Sequence, residues 1–208
     1  MKERKVSEAV IRRLPRYYRQ LELLKAENVE RISSSELAQQ MGLNPSQVRQ
    51  DLNCFGGFGQ QGYGYPVQNL HKEIANILGL TRNYRLVIVG AGNIGQALAK
   101  YEGFAQKGFE VIALFDVEES LIGHKVNEKP ILPVEQLSDF IQENNVDIGI
   151  ITARRRSAQE IADIMVSAGI RAIWNFVPMD VTASVPIENI QLSDSMFVLS
   201  YRLNALED

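Results

Sequence analysis

The chain has few of the residues that build disulfide-bonded or metal-stabilised folds. It contains one cysteine, Cys54, two histidines and one tryptophan in 208 residues. A single cysteine excludes an intrachain disulfide, and so few cysteines and histidines leave little for a metal site. No apolar run approaches a membrane span, and the first residues lack the apolar segment of a signal peptide. We therefore expect a cytoplasmic protein without a bound metal and without membrane contact.

Charge is distributed unevenly along the chain. The net charge is −3, yet residues 1–80 contain 11 Lys/Arg against 8 Asp/Glu, while residues 81–208 contain 11 against 17. A length of 208 residues allows one large or two small domains. A basic first part is typical of a segment that faces phosphates, and also of a solvated helix face.

The first predicted helix carries apolar residues at helical spacing. These are Val10, Leu14, Tyr17, Leu21 and Leu24. Pro15 is expected near the start of this helix, where its missing N–H costs nothing. Four arginines lie off the apolar stripe: Arg12, Arg13, Arg16 and Arg19. They could contact phosphates or be ordinary solvated side chains.

Two short helices joined by a tight turn come next. Ser33 and Glu36 form a capping box that opens the first, and Gly42 ends it. Asn44 can cap the second helix, with Pro45 at its first position. This pattern predicts a helix-turn-helix.

The second of these helices has a polar outward face. Its apolar residues point Ser46, Arg49, Gln50 and Asn53 outward. Arginine can bind guanine, and Gln or Asn can bind adenine, in the DNA major groove. The face therefore favours DNA recognition over a protein-interaction helix. We expect Asp51 to position neighbouring arginines and not to touch DNA.

A glycine-rich stretch with interleaved aromatics occupies residues 55–65. Such a stretch predicts a tight hairpin, which after a helix-turn-helix would be a wing. We expect four wing residues to contact DNA: Gly59, Gln60, Gly62 and Tyr63. A plain connector would leave the aromatics exposed. Residues 81–83 are the expected link to a second domain.

The second part of the chain opens with a dinucleotide-binding pattern. An apolar strand over 86–89 leads into Gly90, Gly92 and Gly95 in G-x-G-x-x-G spacing. A helix over 94–106 would direct its N-terminal N–H groups at phosphate. A second strand over 111–115 ends at Asp116, 21 positions after Gly95, where a carboxylate binds an adenosine ribose. The whole turn, Gly90-Ala91-Gly92-Asn93-Ile94-Gly95, is the expected pyrophosphate site.

Strands and helices continue to alternate after Asp116. We expect helices over 134–142 and 157–168, the latter with a Ser157/Glu160 capping box, and strands over 146–151 and 172–176. The result is a doubly wound parallel sheet of the Rossmann type. Residues at the carboxyl ends of its strands should lie near the cofactor: Thr152, Ala153, Asn175 and Phe176. Arg154-Arg155-Arg156 could contact phosphate, face the other domain, or be solvated.

The cofactor should be NAD. The charge of Asp116 would repel a 2′-phosphate, and Val117 supplies no arginine to offset it. Neither histidine falls where it could act as an acid or base at a nicotinamide. The chain therefore has the parts that bind NAD without those that would use it for chemistry, and we do not expect an enzyme.

The C-terminal residues predict an exposed apolar helix. Leu192, Met196, Leu199, Leu203 and Leu206 follow helical spacing, and Phe197 and Tyr201 add a second apolar face. Such a helix needs burial, and a second copy of the chain is the natural partner. We expect a homodimer, whose twofold symmetry would suit a palindromic operator.

Several segments resemble the redox-sensing transcriptional repressor Rex family. They are RLPRYYRQL (13–21), ISSSELAQQMGLNPSQVRQDLNCFGGFGQQGYGY (32–65), VGAGNIGQALAKYEGF (89–104) and GIRAIWNFVP (169–178). The resemblance implies an α/β chain with a winged helix-turn-helix DNA-binding domain (1–80), a Rossmann-like NAD(H)-binding domain (84–190) and a swapped dimerisation helix (192–208). It implies a repressor that NADH releases from double-stranded DNA, with NAD⁺ as the competing ligand.

The resemblance also assigns residue roles. It implies that Ser46, Gln47, Arg49 and Gln50 lie in the major groove, and that Arg19 and Tyr101 take part in switching, with Tyr101 at the cofactor. The chain departs from the family pattern at Gln60-Gln61, where Lys-Arg is usual, at Gln50, where Lys is frequent, around Arg154, where a proline is usual, and at Gln191, where an aspartate is expected.

Two other functions stay open on the residues alone. One is a small NAD-dependent oxidoreductase with an N-terminal dimerisation module. The other is a regulator that binds coenzyme A or another adenine nucleotide.

Overall fold

The structure, a computed structural model, describes residues 6–56, 58 and 63–206. The chain divides into two compact units, Met1–Arg82 and Asn83–Asp208. Each unit has its own apolar core.

The first unit is helical with a small two-stranded sheet. Its helices are α1 (Glu8–Ala26), α2 (Ser34–Met41), α3 (Pro45–Asn53) and α4 (Val67–Ile77), and its strands are β1 (Arg31–Ile32) and β2 (Tyr65–Pro66). β1 and β2 pair antiparallel. All five apolar residues predicted for the stripe of α1 are buried, and four of them, Leu14, Tyr17, Leu21 and Leu24, pack with residues of α2, α3 and α4. The predicted helix-turn-helix is present as α2 and α3.

The predicted end signals of these helices differ in outcome. Both hydrogen bonds of the Ser33/Glu36 capping box form, and Gly42 ends α2 in the left-handed region at φ 65°. Asn44 occupies the N-cap position of α3 without a side-chain capping bond. The prediction for Pro15 is wrong, because α1 begins at Glu8 and Pro15 lies well inside it.

The second unit is built on a seven-stranded sheet in the order β5-β6-β4-β3-β7-β8-β9. Its strands are β3 (Tyr84–Val89), β4 (Phe109–Asp116), β5 (Lys125–Val126), β6 (Lys129–Pro133), β7 (Ile148–Ile151), β8 (Ala172–Asn175) and β9 (Ile187–Asn189). Its helices are α5 (Asn93–Lys100), α6 (Glu102–Ala105), α7 (Leu137–Asn144), α8 (Ala158–Ser167) and α9 (Leu192–Asn204). All neighbouring strands are parallel except β5 and β6.

This doubly wound sheet confirms the predicted fold class, with three local differences. The short strands β5, β6 and β9 were not predicted. The helix expected over 94–106 is two helices, because Tyr101 takes an extended conformation (ψ 105°) between them. The Ser157 capping box is wrong: Ser157 closes a 3-10 turn (Arg155–Ser157) at φ −104° and makes no capping bond.

The predicted C-terminal helix is present as α9, and every one of its residues is exposed. Its large apolar side chains leave about half or more of their surface in solvent, for example Phe197 at 67%. Such an apolar surface is unusual on a soluble monomer. Within residues 6–56, 58 and 63–206, none of the helices combines the length and apolar character that a membrane crossing requires.

Candidate functional site

The outward face of α3 presents polar side chains to solvent. Ser46, Arg49, Gln50 and Asn53 are all exposed, as the sequence predicts. A guanidinium N–H of Arg49 donates to the hydroxyl of Ser34 at 3.0 Å, which ties the side chain to the start of α2. Cys54 follows α3 and donates its thiol to the carbonyl of Gln50. The face can therefore offer guanidinium and amide groups to base edges.

Asp51, on the inner side of α3, is fully buried. Arg13 of α1 donates to both carboxylate oxygens, from Nε at 2.6 Å and from NH2 at 2.8 Å. The Tyr17 hydroxyl donates at 3.0 Å, and the Gln47 amide donates at 3.0 Å. We call these four side chains the Asp51 cluster. Two residues predicted to contact DNA, Arg13 and Gln47, are thus engaged inside the protein, and Asp51 holds an arginine in place as the sequence indicated.

The Asp51 cluster shifts the pKa of its three titratable members, and the hydrogen bond to Asp51 raises the pKa of the Arg13 guanidinium. Burial raises the pKa of the Asp51 carboxyl, but the hydrogen bonds from Arg13, Gln47 and Tyr17 outweigh it, so the pKa lies below its usual value. Burial, reinforced by the hydrogen bond to Asp51, raises the pKa of the Tyr17 hydroxyl. The carboxylate is therefore charged and Tyr17 neutral at physiological pH.

The other basic residues of the first unit have different surroundings. Arg12 forms an exposed ion pair with Glu8 at 3.0 Å, and Arg16 donates to the Met41 carbonyl at 2.8 Å. Sequence reasoning missed Arg31, which donates to the carbonyls of Tyr63 (2.8 Å) and Gly64 (3.3 Å). Its position on β1, opposite the return of the glycine-rich stretch, gave no sequence signal.

Only part of the predicted wing can be described. Tyr63 is 71% exposed just before β2. Gly59, Gln60 and Gly62 lie outside the described residues. Gly64 has φ 67°, and a Cβ there would come within 2.6 Å of the Ile32 carbonyl oxygen, so only glycine suits this close approach of β1.

In the second unit, the glycine turn between β3 and α5 forms the floor of a cleft. Gly90 has φ 108°, and a Cβ on it would meet the backbone of Thr152 at 2.6 Å. A Cβ on Gly95 would overlap the carbonyl oxygen of Gly90, so this glycine lets α5 pack on the strand. The Thr152 hydroxyl donates to that same carbonyl at 2.7 Å. Ala91 within the turn is buried.

Gly92 differs from its neighbours because a Cβ there would meet nothing within 4 Å. The protein's own packing therefore does not require glycine at this position. Gly92, Asn93 and Ile94 are exposed where α5 begins. The open side and the N–H groups at the helix start are what a phosphate-containing ligand needs.

Asp116, at the end of β4, is held by the main chain. One carboxylate oxygen accepts the N–H of Ala91 at 2.6 Å, and the other accepts the N–H groups of Val117 (2.7 Å) and Glu118 (3.1 Å). The carboxylate is thus fixed beside the glycine turn. Its orientation does not depend on a ligand.

These residues line one cavity of about 540 Å³, in the size range of small-molecule sites. Of the predicted cofactor residues it contains Gly90, Gly92, Asp116, Val117, Thr152 and Ala153. Apolar side chains that the sequence did not single out complete it: Leu121, Val134, Ile161 and Ile164. Arg154 and Arg156 stand in the lining as well. No histidine, lysine, tyrosine or cysteine is among the described residues of this lining.

Seven predicted cofactor residues lie outside this lining: four in the glycine turn (Ala91, Asn93, Ile94 and Gly95), and Tyr101, Asn175 and Phe176. Asn175 is fully buried, and its amide donates to the carbonyl of Met179 and the side chain of Asn189, both at 2.8 Å. Phe176 packs against Trp174, with ring centres 4.6 Å apart. Tyr101 is 61% exposed and stands edge-on to Phe104. Asn175 thus has a structural explanation, namely the fixing of the segment between β8 and β9.

Two family models match the chain, one in each unit. A model described as "Putative DNA-binding protein N-terminus" matches residues 5–53, and one described as "CoA binding domain" matches residues 81–179.

Curated and solved proteins match over almost the full length. The redox-sensing transcriptional repressor Rex of Clostridium tetani is 50% identical, covering 100% of this chain and 99% of its own length. A solved structure of RSP with β-NAD⁺ and operator DNA is 52% identical, covers 97% of this chain and 94% of that one, and has a TM-score of 0.93. A structure of RSP with β-NADH is 49% identical, covers 98% and 96%, and has a TM-score of 0.90.

Proposed function

The chain belongs to the Rex family of redox-sensing transcriptional repressors, and from that premise we propose the ligand, DNA surface and assembly through which it acts. It is a DNA-binding regulator and not an enzyme. The oxidoreductase alternative fails, because the relatives that match across both units are repressors.

The cofactor is NAD(H), bound in the cleft between the glycine turn and Asp116. The open side of Gly92 carries this assignment, since glycine there serves a ligand and not the fold. The start of α5 would hold the pyrophosphate, and Asp116 would accept hydrogen bonds from the adenosine ribose. Structures of RSP with β-NAD⁺ and with β-NADH support this ligand.

The DNA-binding surface is the outward face of α3, and we call α3 the recognition helix. Ser46, Arg49, Gln50 and Asn53 would contact base edges in the major groove. Arg12 and Arg16, both exposed on α1, would contact phosphates together with the wing. RSP, at 52% identity, has been solved on operator DNA.

The active form is a homodimer joined through α9. The proposed boundaries are a DNA-binding domain at 1–80, an NAD(H) domain at 84–190 and a dimerisation helix at 192–208; the division of the chain at residue 82 supports the first of these. Two recognition helices must fit half-sites about 34 Å apart, and we propose that NADH favours an arrangement that breaks this spacing. A repressor works where the chromosome lies, so we assign it to the cytoplasm.

Release from DNA requires the ligand to bind one state of the protein far more tightly than the other. Moving a two-state equilibrium from mostly bound to mostly released takes about 5.5 kcal/mol of differential affinity. NADH and NAD⁺ differ by one hydride and one charge, so the difference must arise at the nicotinamide. The two cofactor sites of a dimer can each supply part of this free energy.

The test is fluorescence anisotropy on a labelled duplex that the protein has selected from a randomised pool. NADH should release the protein at concentrations where NAD⁺ does not. The Gly92→Ala variant is the matched control: it should bind the same duplex and be released only at NADH concentrations at least about tenfold higher. Equal release of the wild type by NADH and NAD⁺ would refute redox sensing.

Coenzyme A is the second candidate ligand, favoured by the family model that matches residues 81–179. Its adenosine carries a phosphate on the ribose, which the Asp116 carboxylate would repel. Isothermal titration with NADH, NADPH and coenzyme A separates the three. Tight coenzyme A binding would overturn the assignment of the cleft.

A further inference from the structure

The Asp51 cluster places a charged group inside the helix-turn-helix. The side chain of Asp51 is 1% exposed and that of Arg13 is 22% exposed. Carboxylates are seldom buried unless they are paired, and a buried pair needs further hydrogen bonds to satisfy its remaining atoms. Here Tyr17 and Gln47 supply them. The arrangement is complete within the protein and leaves the carboxylate no role in solvent.

The bonds of the cluster join two helices that are distant in sequence. Arg13 and Tyr17 belong to α1, whereas Asp51 and Gln47 belong to α3, with separations of 38 and 34 residues for the pairs to Asp51. The Arg13–Asp51 contact has two parallel N–H···O bonds, a geometry that fixes orientation as well as distance. A second tie joins α1 to the end of α2, where Arg16 donates to the Met41 carbonyl. Both helices of the helix-turn-helix are therefore attached to α1.

The outward residues of α3 depend on this attachment. Asp51 lies between Gln50 and Asn53, so a rotation of α3 that freed Asp51 would also turn the polar face. Hydrogen bonds to base edges require precise geometry and would be lost on a small rotation of α3. Electrostatic attraction to the phosphate backbone does not depend on that geometry. Loss of the cluster should therefore remove sequence discrimination before it removes DNA affinity.

We propose that Arg13 and Asp51 are positioning residues that orient the recognition helix, and that Arg13 does not contact DNA phosphate. This inference rests on the proposed role of α3 in DNA recognition. The position of Arg13 on a basic helix suggests contact with the nucleic acid. Within the Asp51 cluster, Arg13 instead holds α3.

The Asp51→Asn variant distinguishes a positioning role from an effect of charge alone, because the two predict opposite changes in DNA affinity. Removing a negative charge near DNA strengthens attraction to phosphates, so an effect of charge alone predicts tighter binding. Positioning predicts weaker binding to the selected duplex. We expect the ratio of affinities for the selected duplex and a scrambled one to fall by at least about tenfold, with binding to the scrambled duplex kept.

Arginine variants test whether Arg13 binds a phosphate. The slope of log K against log salt becomes shallower by about 0.9 for each phosphate that the protein no longer neutralises. Arg13→Gln should lower discrimination and leave the slope unchanged. Arg12→Gln, which removes an exposed cation of α1 assigned above to a phosphate, is the comparison expected to make the slope shallower by about 0.9. Arg13→Lys keeps the charge and removes the fork, so it should bind like Arg13→Gln.

The measurement is anisotropy of the full-length protein on both duplexes, at several salt concentrations, with circular dichroism confirming that each variant is folded. Should Asp51→Asn prove unfolded, Arg13→Lys decides the question, because lysine would preserve binding to a phosphate and would not replace a fork. If Asp51→Asn or Arg13→Lys prefers the selected duplex over the scrambled one as strongly as the wild type does, the proposed positioning role is wrong. A slope shallower by about 0.9 in Arg13→Gln overturns it as well. A wild-type protein that selects no duplex would instead refute the proposed function.

Discussion

At the scale of single residues, the glycines of the cleft divide into those that the fold needs and one that it does not. Gly90 and Gly95 face backbone atoms that a Cβ would strike. Gly92 faces open space at the start of α5. The same sequence motif thus contains a folding requirement and a binding requirement, and substitutions can separate them.

Gly92→Ala should leave the free energy of unfolding within about 0.5 kcal/mol of wild type, because nothing lies near the added methyl. It should weaken NADH binding by at least about tenfold, because the methyl occupies the approach of the pyrophosphate. Gly95→Ala is the matched control and should lower stability by about 1–3 kcal/mol through overlap with the Gly90 carbonyl. Urea unfolding and NADH titration measure both; unchanged NADH affinity in Gly92→Ala contradicts the site.

Asp51 gives the protein a pH-dependent element of stability. Its pKa is lower in the folded than in the unfolded chain, so its contribution is complete above the unfolded value of about 3.9 and is lost as the pH falls through the folded value. Arg13, Tyr17 and Gln47 are the groups that face it.

Asp51→Asn should therefore be less stable than wild type by about 2–3 kcal/mol at pH 7, since it leaves Arg13 without its charged partner. The difference should shrink as the pH falls below about 3.9 toward the folded pKa of Asp51. Urea unfolding of both proteins at pH 7 and at pH 3.5 checks this. A difference that is the same at both pH values would show that the carboxylate charge is not involved.

At the scale of elements, sequence patterns predicted those with strong periodicity or clear end signals. The apolar stripe of α1, the Ser33/Glu36 box and the glycine turn after β3 each depend on residues close together in the chain, so their outcome could be predicted. The strands β5 and β9 are two and three residues long, and their pairing depends on distant neighbours. Asn175 was predicted to contact the cofactor because it ends a strand; one of the partners of its amide, Asn189, lies on β9, which was not predicted.

The candidate sites follow the same division. The cleft motif was visible because its residues are contiguous, whereas Leu121, Val134 and Ile164 enter the cleft from separate segments and had no common pattern. The sequence predicted that Asp51 would position an arginine, but Arg13 lies 38 positions away and could not be identified as that arginine.

Pro15 inside α1 leads to a prediction for that helix. Proline cannot donate to the carbonyl of Ile11, and its exposed ring contributes nothing to the core. Pro15→Ala should raise the free energy of unfolding by roughly 1–3 kcal/mol. Ser33→Ala, which removes a capping bond from α2, should lower it by about 1 kcal/mol. Urea unfolding of the two variants should move in opposite directions, and a loss of stability in Pro15→Ala would contradict the expectation.

At the scale of the whole molecule, the two units differ in what they expose. The first presents polar and basic side chains on α1 and α3, and the second presents the apolar surface of α9. The polar face fits a ligand that is itself charged, while the apolar face fits a second copy of the chain. The proposed pairing through α9 and the proposed DNA contacts therefore involve separate surfaces.

Phe197→Glu places a charge on the exposed apolar face of α9 and should prevent pairing. Light scattering after gel filtration should give twice 23.4 kDa for the wild type and 23.4 kDa for the variant. Affinity for the selected duplex should fall by more than about tenfold, since two linked half-site contacts become one. Leu23→Glu, at an exposed leucine of α1, is the matched control for mass and should remain paired. A dimeric Phe197→Glu would place the interface elsewhere.

With pairing through α9 as proposed, gene dosage becomes a variable of repression. Pairing obeys mass action, so while single protomers predominate, halving the rate of synthesis lowers the amount of the paired form about fourfold. A cell could then relieve repression by diluting the protein during rapid growth, with no change in its redox state.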